Sequence, residues 1–491
     1  MTYLVYPGAM HSRYNHALGA MYLMQKAIQI LRSKGQEITE EEALGAYVAI
    51  LLHDVGHGPF SHLFEDVIAT RCAATTTTPS GGGGGGAPPA VFCHEVMSQS
   101  LMLRVAKRLE LDTEMIRDVS ALMAGGGGGS KTTTAGETPP APTQAPFYKE
   151  LISNKRNGID VDRLDYLIRD SLCCFGKPTM DVRVNRLFNS ARIISVNNGE
   201  DYKMAFEQKM AVTIRDLFAL RAKLHKSVYQ HHVVKAVGHM IGDILFHAAG
   251  NESSSSTSPS TQFLRVGGHT LQECATDPEL FIKLGDWILD AIDASGPTPI
   301  TPTTSGGGGG DVPLGLGEAR RLLYKLRSRE LYSLSGCINI DPTVLKASSL
   351  PQPTAGQIEQ QLLESLKSSP HHQIQYDANT IDAIRRSIIV EVVSINHGKG
   401  DKDPLQFVDF YNPKDIANID RCFSLKGSSP LLSPSVFEEK TIMVFSRDRA
   451  HNSAISTAFE RWVGDGGLNG GVTAALYPGL AFHNPRTDTL L

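Results

Sequence analysis

The segment from Leu51 to His62, with the sequence LLHDVGHGPFSH, constrains this chain more than any other feature. An apolar stretch with helical spacing runs into His53 and Asp54, two glycines permit a tight turn, and Pro59 suits the first position of the next helix. Polar and glycine residues are costly directly after an apolar helix unless they bind something. The segment therefore indicates a ligand site.

His53 and Asp54 are candidate metal ligands, because imidazole and carboxylate suit Fe, Mn, Zn or Mg rather than a thiophilic metal. At a helix end beside a bend, two adjacent side chains can face one cation. A lone His-Asp pair is more often a cap or a surface pair. A mononuclear site needs further ligands, and His16 and Asp162, each near the start of a predicted helix, supply them.

The composition limits the class of protein. The chain of 491 residues has a formal net charge of −4 and 41% hydrophobic residues, which excludes a wholly disordered chain and a strongly basic nucleic-acid coat. It has no apolar run of about 20 residues and no signal-peptide pattern at its start. The seven cysteines include no C-x-x-C pair, which indicates a reducing compartment. We expect an intracellular, soluble protein.

Helical and β-strand patterns divide the chain into a mainly α part and a smaller α+β part. Helical spacing predicts an all-α core in the first 250 residues, from runs at 16–31, 43–52, 160–172 and 212–247. β-rich runs predict a smaller α+β lobe, at 387–394, 406–411 and 441–445. Tracts of Gly, Ser, Thr and Pro indicate surface loops within one domain, at 73–90, 125–146, 251–261 and 295–310. We expect three regions: a catalytic domain over 1–345, the lobe over 346–465 and a loose tail over 466–491.

Basic residues near the candidate ligands predict a phosphate site. Arg13 lies one helical turn before His16, and Arg163 directly follows Asp162. Arg221 is expected to begin a helix on which His225 and Tyr229 follow at i+4 and i+8. A phosphate ligand requires such cations, and Arg can bind it in a bidentate manner.

The predicted helix over 162–170 carries a polar face that has two interpretations. The residues on it share one side by helical spacing: Asp162, Asp165, Tyr166, Arg169 and Asp170. Spacing alone favours a solvated face with ion pairs, and a binding surface is the alternative.

Two other clusters have ordinary explanations that we favour. The histidines at 231, 232, 239 and 247 suggest a second metal, but helical histidines at such spacing are more often packed or exposed. The run Arg320–Arg329 suggests a nucleic-acid patch. Its leucines instead favour an amphipathic helix with a solvated basic face.

The pattern H…HD…D of His16, His53, Asp54 and Asp162 resembles the metal-ligand pattern of the HD-domain phosphohydrolases. The chain is similar to the deoxynucleoside triphosphate triphosphohydrolases that carry a sterile alpha motif domain ahead of the HD domain, although that first domain is not found. The similarity covers most of residues 3–247 outside the Gly-rich tracts and, more weakly, 318–463. Four ordered blocks carry it: Tyr6–Gly19, His53–Phe64, Asn154–Asp162 and Leu224–His231.

The resemblance implies a role for each site residue. The four residues of the H…HD…D pattern would bind the metal, and His94 would protonate the leaving 5′ oxygen. The residues that would position water and phosphate are His57, His62 and Glu65, where the family has Asp at the last position. The triphosphate would contact Arg13, Arg163, Arg221 and His225. The family has Lys at the position of Arg163. Tyr166 and Asp170 would contact the sugar, and Tyr229 would exclude a ribose 2′ hydroxyl.

The resemblance also implies a reaction and partners. A dNTP would be split into deoxynucleoside and inorganic triphosphate, with dGTP as the typical substrate. The cofactor would be Fe, Mn or Zn at the HD site, with Mg on the triphosphate. The resemblance further implies assembly into a dimer or tetramer and localisation to the nucleus. It also implies a GTP or dNTP effector near His231 and Arg186. Two family features differ: Glu207 stands where the family has Arg, and the family's short Gln-Leu-Gly segment would precede Tyr3.

Two alternatives stay open from the sequence. Another HD-domain phosphohydrolase, acting on a nucleoside monophosphate or a cyclic nucleotide, would use the same ligands, although the Arg cluster favours a longer phosphate chain. A catalytically silent scaffold that binds nucleotides or nucleic acid is the second. Complete metal ligands and net acidity argue against it.

Overall fold

The computed structural model describes eleven segments of the chain, which are residues 1–68, 92–124, 147–177, 184–196, 201–250, 263–296, 315–340, 354–367, 376–415, 422–425 and 434–464. The predicted Gly/Ser/Thr/Pro loops, apart from Ser295 and Gly296, and the predicted tail lie outside these residues.

The chain divides into two compact units, and each is described by itself. The first unit comprises Met1–Leu220, Met240–Arg329 and Leu405–Gly427. The second comprises Arg221–His239, Glu330–Pro404 and Ser428–Leu491. The domain limits expected at residues 345 and 465 stay predictions.

The first unit is mainly helical. Its helices before the first strand are α1 (Arg13–Ser33), α2 (Glu40–Leu52), α3 (His62–Asp66), α4 (His94–Arg108), α5 (Thr113–Met123), α6 (Phe147–Ile152), α7 (Val161–Phe175) and α8 (Val184–Ser190). Later helices are α9 (Ala211–Leu224), α10 (His232–Ala249), α11 (Leu271–Thr276), α12 (Pro278–Phe281), α13 (Ile288–Ala294) and α14 (Leu316–Arg327), and the unit limits fall within α9 and α10.

Capping residues fix the ends of the helices that carry the candidate ligands. The side chain of Ser12 accepts a hydrogen bond from the backbone N–H of Asn15 at the start of α1. Asp160 accepts one from the backbone N–H of Arg163 at the start of α7, and Gly176 ends that helix in the left-handed conformation. These local signals place His16 and Asp162 in the first turns of their helices.

The expectation of an all-α core in the first 250 residues is wrong. Strands β1 (Ala191–Val196) and β2 (Asp201–Glu207) form an antiparallel pair in the first unit. Short apolar runs do not distinguish a strand from a buried helix by periodicity, and Met204, Ala205 and Phe206 are all buried here.

The predicted helix over 212–247 is two helices. A π-helical turn, His225–Tyr229, separates α9 from α10. Arg221 therefore lies in the last turn of α9 rather than at a helix start. Helical spacing predicted the flanking helices correctly, but it gives no signal for a turn with a different hydrogen-bond period.

The second unit contains an antiparallel three-stranded sheet with helices. The strands are β3 (Ser333–Ile340), β4 (Ile388–Asn396) and, later in the chain, β7 (Glu438–Ser446), in the order β3-β7-β4. The helices are α15 (Ala355–Lys367), α16 (Ala378–Ser387) and α17 (Arg449–Gly464), which share a buried apolar core with the sheet. The predicted strands near 388 and 441 are confirmed, and β3 was not predicted.

The predicted strand at 406–411 is shorter and belongs to the other unit. Only β5 (Asp409–Tyr411) is a strand, and it pairs in parallel with β2 and antiparallel with β6 (Phe423–Ser424). The predicted fold class, a mainly α protein with a smaller α+β part, is confirmed. No helix within the described segments has the length and apolar character to cross a bilayer.

Candidate active site

His16 lies on α1 and is buried, with both ring nitrogens close to carboxylates of α7. Its Nε2 is 3.1 Å from Oδ1 of Asp162, and its Nδ1 is 2.8 Å from Oδ2 of Asp165. Burial lowers the pKa of His16, but the hydrogen bonds to Asp162 and Asp165 outweigh burial and raise it to about 9. The surroundings of His16 therefore favour positive charge.

His53 and Asp54 follow the last residue of α2, as predicted. Nδ1 of His53 is 2.7 Å from the carbonyl oxygen of Ile50, so this nitrogen donates and Nε2 points elsewhere. Nε2 lies 3.6 Å from Oδ1 of Asp54 and 3.6 Å from Oδ1 of Asp162. It is buried and has no hydrogen-bond partner in the described part of the chain.

The structure brings the four predicted ligands together from three stretches of sequence. The ligand atoms of His16, His53 and Asp54 lie within 4.8 Å of one another, and Asp162 contacts both histidines. Burial raises the pKa of Asp162, but the two histidines hold it below its usual value. The four side chains are therefore brought together as predicted.

These four residues fit a divalent cation. A buried imidazole nitrogen without a partner is costly, and a metal ion would satisfy the Nε2 atom of His53. Two imidazoles and two carboxylates form a mixed N/O donor set that suits Fe, Mn or Zn. The identity of the metal stays a prediction.

The loop that leads into α3 bends more sharply than the sequence indicates. Helix α3 begins at His62 rather than at Pro59, and Phe60 and Ser61 have φ angles of 59° and 62°. Non-glycine residues rarely adopt such angles, and they persist where neighbouring groups fix them. Oγ of Ser61 accepts a hydrogen bond from Nε of Arg13 at 2.8 Å, which is one such restraint.

Gly56 lets this loop pack against α4. A Cβ atom at residue 56 would overlap the backbone of α4, and the Gly56 N–H donates to Oγ of Ser98 at 2.9 Å. This close approach stacks the ring of His57 on that of His94, with centroids 4.0 Å apart and planes 19° apart. Both residues were predicted as site residues, and the structure brings them together.

The other two residues of this histidine cluster differ in exposure. Oε2 of Glu65 is 2.8 Å from Nδ1 of His94, so the carboxylate fixes the orientation of that ring. The side chain of His62 is 75% exposed, and its ring lies 5.2 Å from that of His94. Burial lowers the pKa of His57 to about 4, so His57 is neutral near pH 7.

Arg13 and Arg163, predicted to bind phosphate, are both paired with carboxylates. Nη1 of Arg13 is 2.5 Å from Oδ2 of Asp54, and Nη1 of Arg163 pairs with Asp160. Burial raises the pKa of Asp160 to about 6. Any phosphate that reached these cations would compete with carboxylates already in place.

The predicted sugar residues lie along α7. The ring of Tyr166 is 6.5 Å from that of His16, centroid to centroid. Oδ1 of Asp170 is 2.8 Å from Nε2 of His11, a residue that the sequence did not single out. The periodicity of α7 predicted Asp170, whereas no pattern in the sequence indicated His11.

Arg221, His225 and Tyr229 belong to the second unit. Nη1 of Arg221 donates to the carbonyl oxygen of Asn396 at 2.7 Å. His225 and Tyr229 lie in the π-helical turn with ring centroids 5.1 Å apart. Burial, followed by the nearby Arg221, lowers the pKa of His225 to about 4, which makes its ring neutral near pH 7.

Part of the chain matches a known protein family. Residues 13–169 match the family described as HD domain. The chain contains an HD domain. The matched range includes the four predicted metal ligands and the histidine cluster of His57, His62 and His94.

The chain is also similar over most of its length to curated relatives. It is 27% identical over 468 residues to a deoxynucleoside triphosphate triphosphohydrolase SAMHD1 homolog of Dictyostelium discoideum, which covers 94% of this chain and 73% of that protein. It is 27% identical to the SAMHD1 triphosphohydrolases of Gallus gallus and Homo sapiens, which cover 94% of this chain and 69% and 67% of those proteins. The predicted resemblance and the enzyme class, a phosphoric ester hydrolase, are confirmed.

Proposed function

We propose that this chain is a metal-dependent triphosphohydrolase that splits a dNTP into a deoxynucleoside and inorganic triphosphate. The observation that carries the proposal is the convergence of His16, His53, Asp54 and Asp162, with the buried Nε2 of His53 left for a ligand. The substrate class is supported by relatives that are named deoxynucleoside triphosphate triphosphohydrolases.

A divalent cation bound by these four residues would polarise a phosphate group and lower the pKa of a water molecule. The mixed imidazole and carboxylate donors favour Fe, Mn or Zn at this position, and Mg would accompany the triphosphate. The cation would balance the negative charges of Asp54 and Asp162. Without the cation, protons on His16 and His53 balance these charges.

His94 would act as the general acid for the departing 5′ oxygen. Glu65 accepts the hydrogen bond from Nδ1, so a proton on Nε2 of His94 is the one available for transfer. The ring of His57, stacked on His94, restricts its rotation, and the exposed His62 would meet the incoming phosphate. These roles assign acid catalysis to the histidine cluster rather than to the metal ligands.

Substrate binding would draw on both charge and shape. We assign the triphosphate to Arg13, Arg163, Arg221 and His225, since a neutral imidazole and guanidinium groups can donate to phosphate oxygens. Tyr166 and Asp170 would contact the deoxyribose, and Tyr229 would exclude a 2′ hydroxyl. The support for these assignments is the family resemblance, which covers most of residues 3–247.

We propose four further properties on the family resemblance alone. They are a preference for dGTP, assembly into a dimer or tetramer, a GTP or dNTP effector, and localisation to the nucleus.

The test is a product assay on each dNTP with Mn²⁺ in water enriched in ¹⁸O. We expect deoxynucleoside and triphosphate, with the label in the triphosphate because water attacks the α-phosphorus. Monophosphate and pyrophosphate as the only products would contradict the bond assignment. Hydrolysis of monophosphates or cyclic nucleotides, but not of dNTPs, would contradict the substrate class.

A further inference from the structure

Asp165 contacts a candidate metal ligand on the side away from the other ligands. Its Oδ2 lies 2.8 Å from Nδ1 of His16, whereas the opposite ring nitrogen, Nε2, lies 3.1 Å from Asp162. Asp162 and Asp165 are three residues apart in the first turns of α7, so they share a face of that helix. One imidazole is therefore held between two carboxylates of the same helix.

We propose that Asp165 is a positioning residue that fixes His16 as a metal ligand through its Nε2 atom. An ionised carboxylate only accepts hydrogen bonds, so Nδ1 of His16 must carry a proton beside it. In the neutral imidazole, the lone pair is then on Nε2, which faces the other ligands. The inference rests on the metal site of the proposed function.

Arg169 holds Asp165 in this orientation. Its Nε donates to Oδ2 of Asp165 at 2.8 Å, and its Nη2 donates to Oδ1 at 2.8 Å. A bidentate pair restricts the carboxylate more than a single hydrogen bond does. The side chain of Asp165 is 8% exposed, so little water competes for its oxygens.

Gly19 provides the space for this ion pair on the neighbouring helix. It follows His16 by three residues on α1, and a Cβ atom there would overlap both the carboxylate of Asp165 and the guanidinium of Arg169. Glycine in the interior of a helix is unfavourable compared with alanine, yet no larger residue fits without displacing the pair. Three residues on two helices therefore act together on one histidine ring.

The ring of His53, the other candidate imidazole ligand, is held in a different way. Its Nδ1 is held by the neutral carbonyl oxygen of Ile50 in the preceding turn of α2. The acceptor of that hydrogen bond is a backbone oxygen, so replacement of the Ile50 side chain does not remove it. The restraint on His16 depends on side chains, and substitution can remove it without altering a ligand.

The experiment is a titration of metal-free protein with Co²⁺, followed by the visible absorption bands of the bound ion. These bands report the affinity and the set of ligand atoms, and they do not depend on turnover. The variants are Asp165→Asn, Asp165→Ala, Gly19→Ala and, as a matched control, Gly45→Ala. Apart from its chain neighbours and the backbone of α2, no described atom would lie within 4 Å of a Cβ atom at Gly45.

We expect Asp165→Ala to weaken Co²⁺ binding about 10- to 100-fold and to change the absorption bands, as removal of such partners does at other metal sites. Asp165→Asn keeps an acceptor and the side-chain shape, so it should restore part of the affinity. Gly19→Ala should weaken binding because the methyl group displaces the Asp165–Arg169 pair. Gly45→Ala gains the same helix propensity and should bind as the wild type does.

Wild-type affinity and bands in both Asp165→Ala and Gly19→Ala would overturn the inference. Equal losses in Gly19→Ala and Gly45→Ala would also overturn it, because the effect would then come from the helix and not from the ion pair. If Asp165→Ala fails to fold, Gly19→Ala decides, since it changes neither a charge nor a ligand. Failure of the wild type to bind Co²⁺ would instead contradict the proposed metal site.

Discussion

Two regions of the molecule place histidines in opposite electrostatic surroundings. In the first unit, His16 and His53 lie beside carboxylates, which raise the pKa of both against the effect of burial. In the second unit, burial and the neighbouring Arg221 lower the pKa of His225 to about 4. The surroundings of His16 and His53 therefore favour a positive charge, and those of His225 disfavour one on its imidazole.

The difference shows that burial alone does not set the charge of a histidine. Carboxylates adjacent to buried imidazoles stabilise a positive charge, as they do on His16 and His53. A neutral imidazole beside a guanidinium offers hydrogen-bond donors to an anion instead. We therefore propose that the cation binds beside His16 and His53, and that His225 donates a hydrogen bond to a phosphate oxygen.

The largest effect should come from the metal region. His53→Ala removes the buried imidazole whose Nε2 has no hydrogen-bond partner in the described segments. We expect kcat/KM for dNTP hydrolysis to fall at least about 10³-fold, since a catalytic metal contributes several kcal/mol to the transition state. Steady-state kinetics together with metal analysis of the purified variant measure this effect.

The exposed His269 supplies the control for this substitution. His269→Ala should retain both metal and activity, because its side chain is 45% exposed and it is not one of the predicted ligands. Full activity of His53→Ala would remove the distinction between the two regions.

The histidine cluster should give the next largest effect and should not alter metal content. We expect His94→Ala to lower kcat about 10²- to 10⁴-fold, the usual contribution of a general acid. His62→Ala should cost less, because His62 is largely exposed. Loss of metal from His94→Ala would show that His94 contributes to metal binding, and it would contradict the assigned role of general acid.

In the second region, Arg221→Ala should act on substrate binding. We expect the KM for a dNTP to rise about 10- to 100-fold, since a hydrogen bond to a charged group contributes about 1.5–3 kcal/mol. Arg221→Lys keeps the charge and should recover part of the loss. A fall in kcat with an unchanged KM in both variants would show that Arg221 does not bind the ground-state substrate.

The smallest effect is a pH dependence of stability. His225 has a pKa of about 4 when folded and 6.5 as a free side chain, so the unfolded chain binds its proton more tightly. Its contribution to stability is complete above pH 6.5 and decreases as the pH falls towards 4. The urea midpoint should therefore fall less between pH 7 and pH 5 in His225→Gln than in the wild type. An equal fall of the urea midpoint in the wild type and in His225→Gln would contradict the lowered pKa of His225.

The sequence predicted the ligands of the metal region because their order follows local rules. Helical spacing located α1, α2 and α7, and the polar string after α2 identified His53 and Asp54. The distance between His16 and Asp162 could not be predicted from spacing, since it depends on how α1 packs on α7. The family resemblance supplied that information.

Features that depend on tertiary contacts were not predicted. The pairing of Arg13 with Asp54 and of Arg163 with Asp160 gives no sequence signal, because any Arg can pair with any nearby carboxylate. The π-helical turn at His225 interrupts a stretch whose apolar spacing predicts a single helix. Strand β2 was missed because its short apolar run also fits a buried helix.

The most direct test of the account is the binding of Mn²⁺ to metal-free wild type and to Asp54→Ala, with dGTP hydrolysis measured in the same samples. We predict one tightly bound Mn²⁺ per wild-type chain, release of triphosphate only after it binds, and neither binding nor hydrolysis in Asp54→Ala. Hydrolysis of dGTP by the metal-free wild type, or by Asp54→Ala at the wild-type rate, would contradict the central claim that these four side chains bind the catalytic metal.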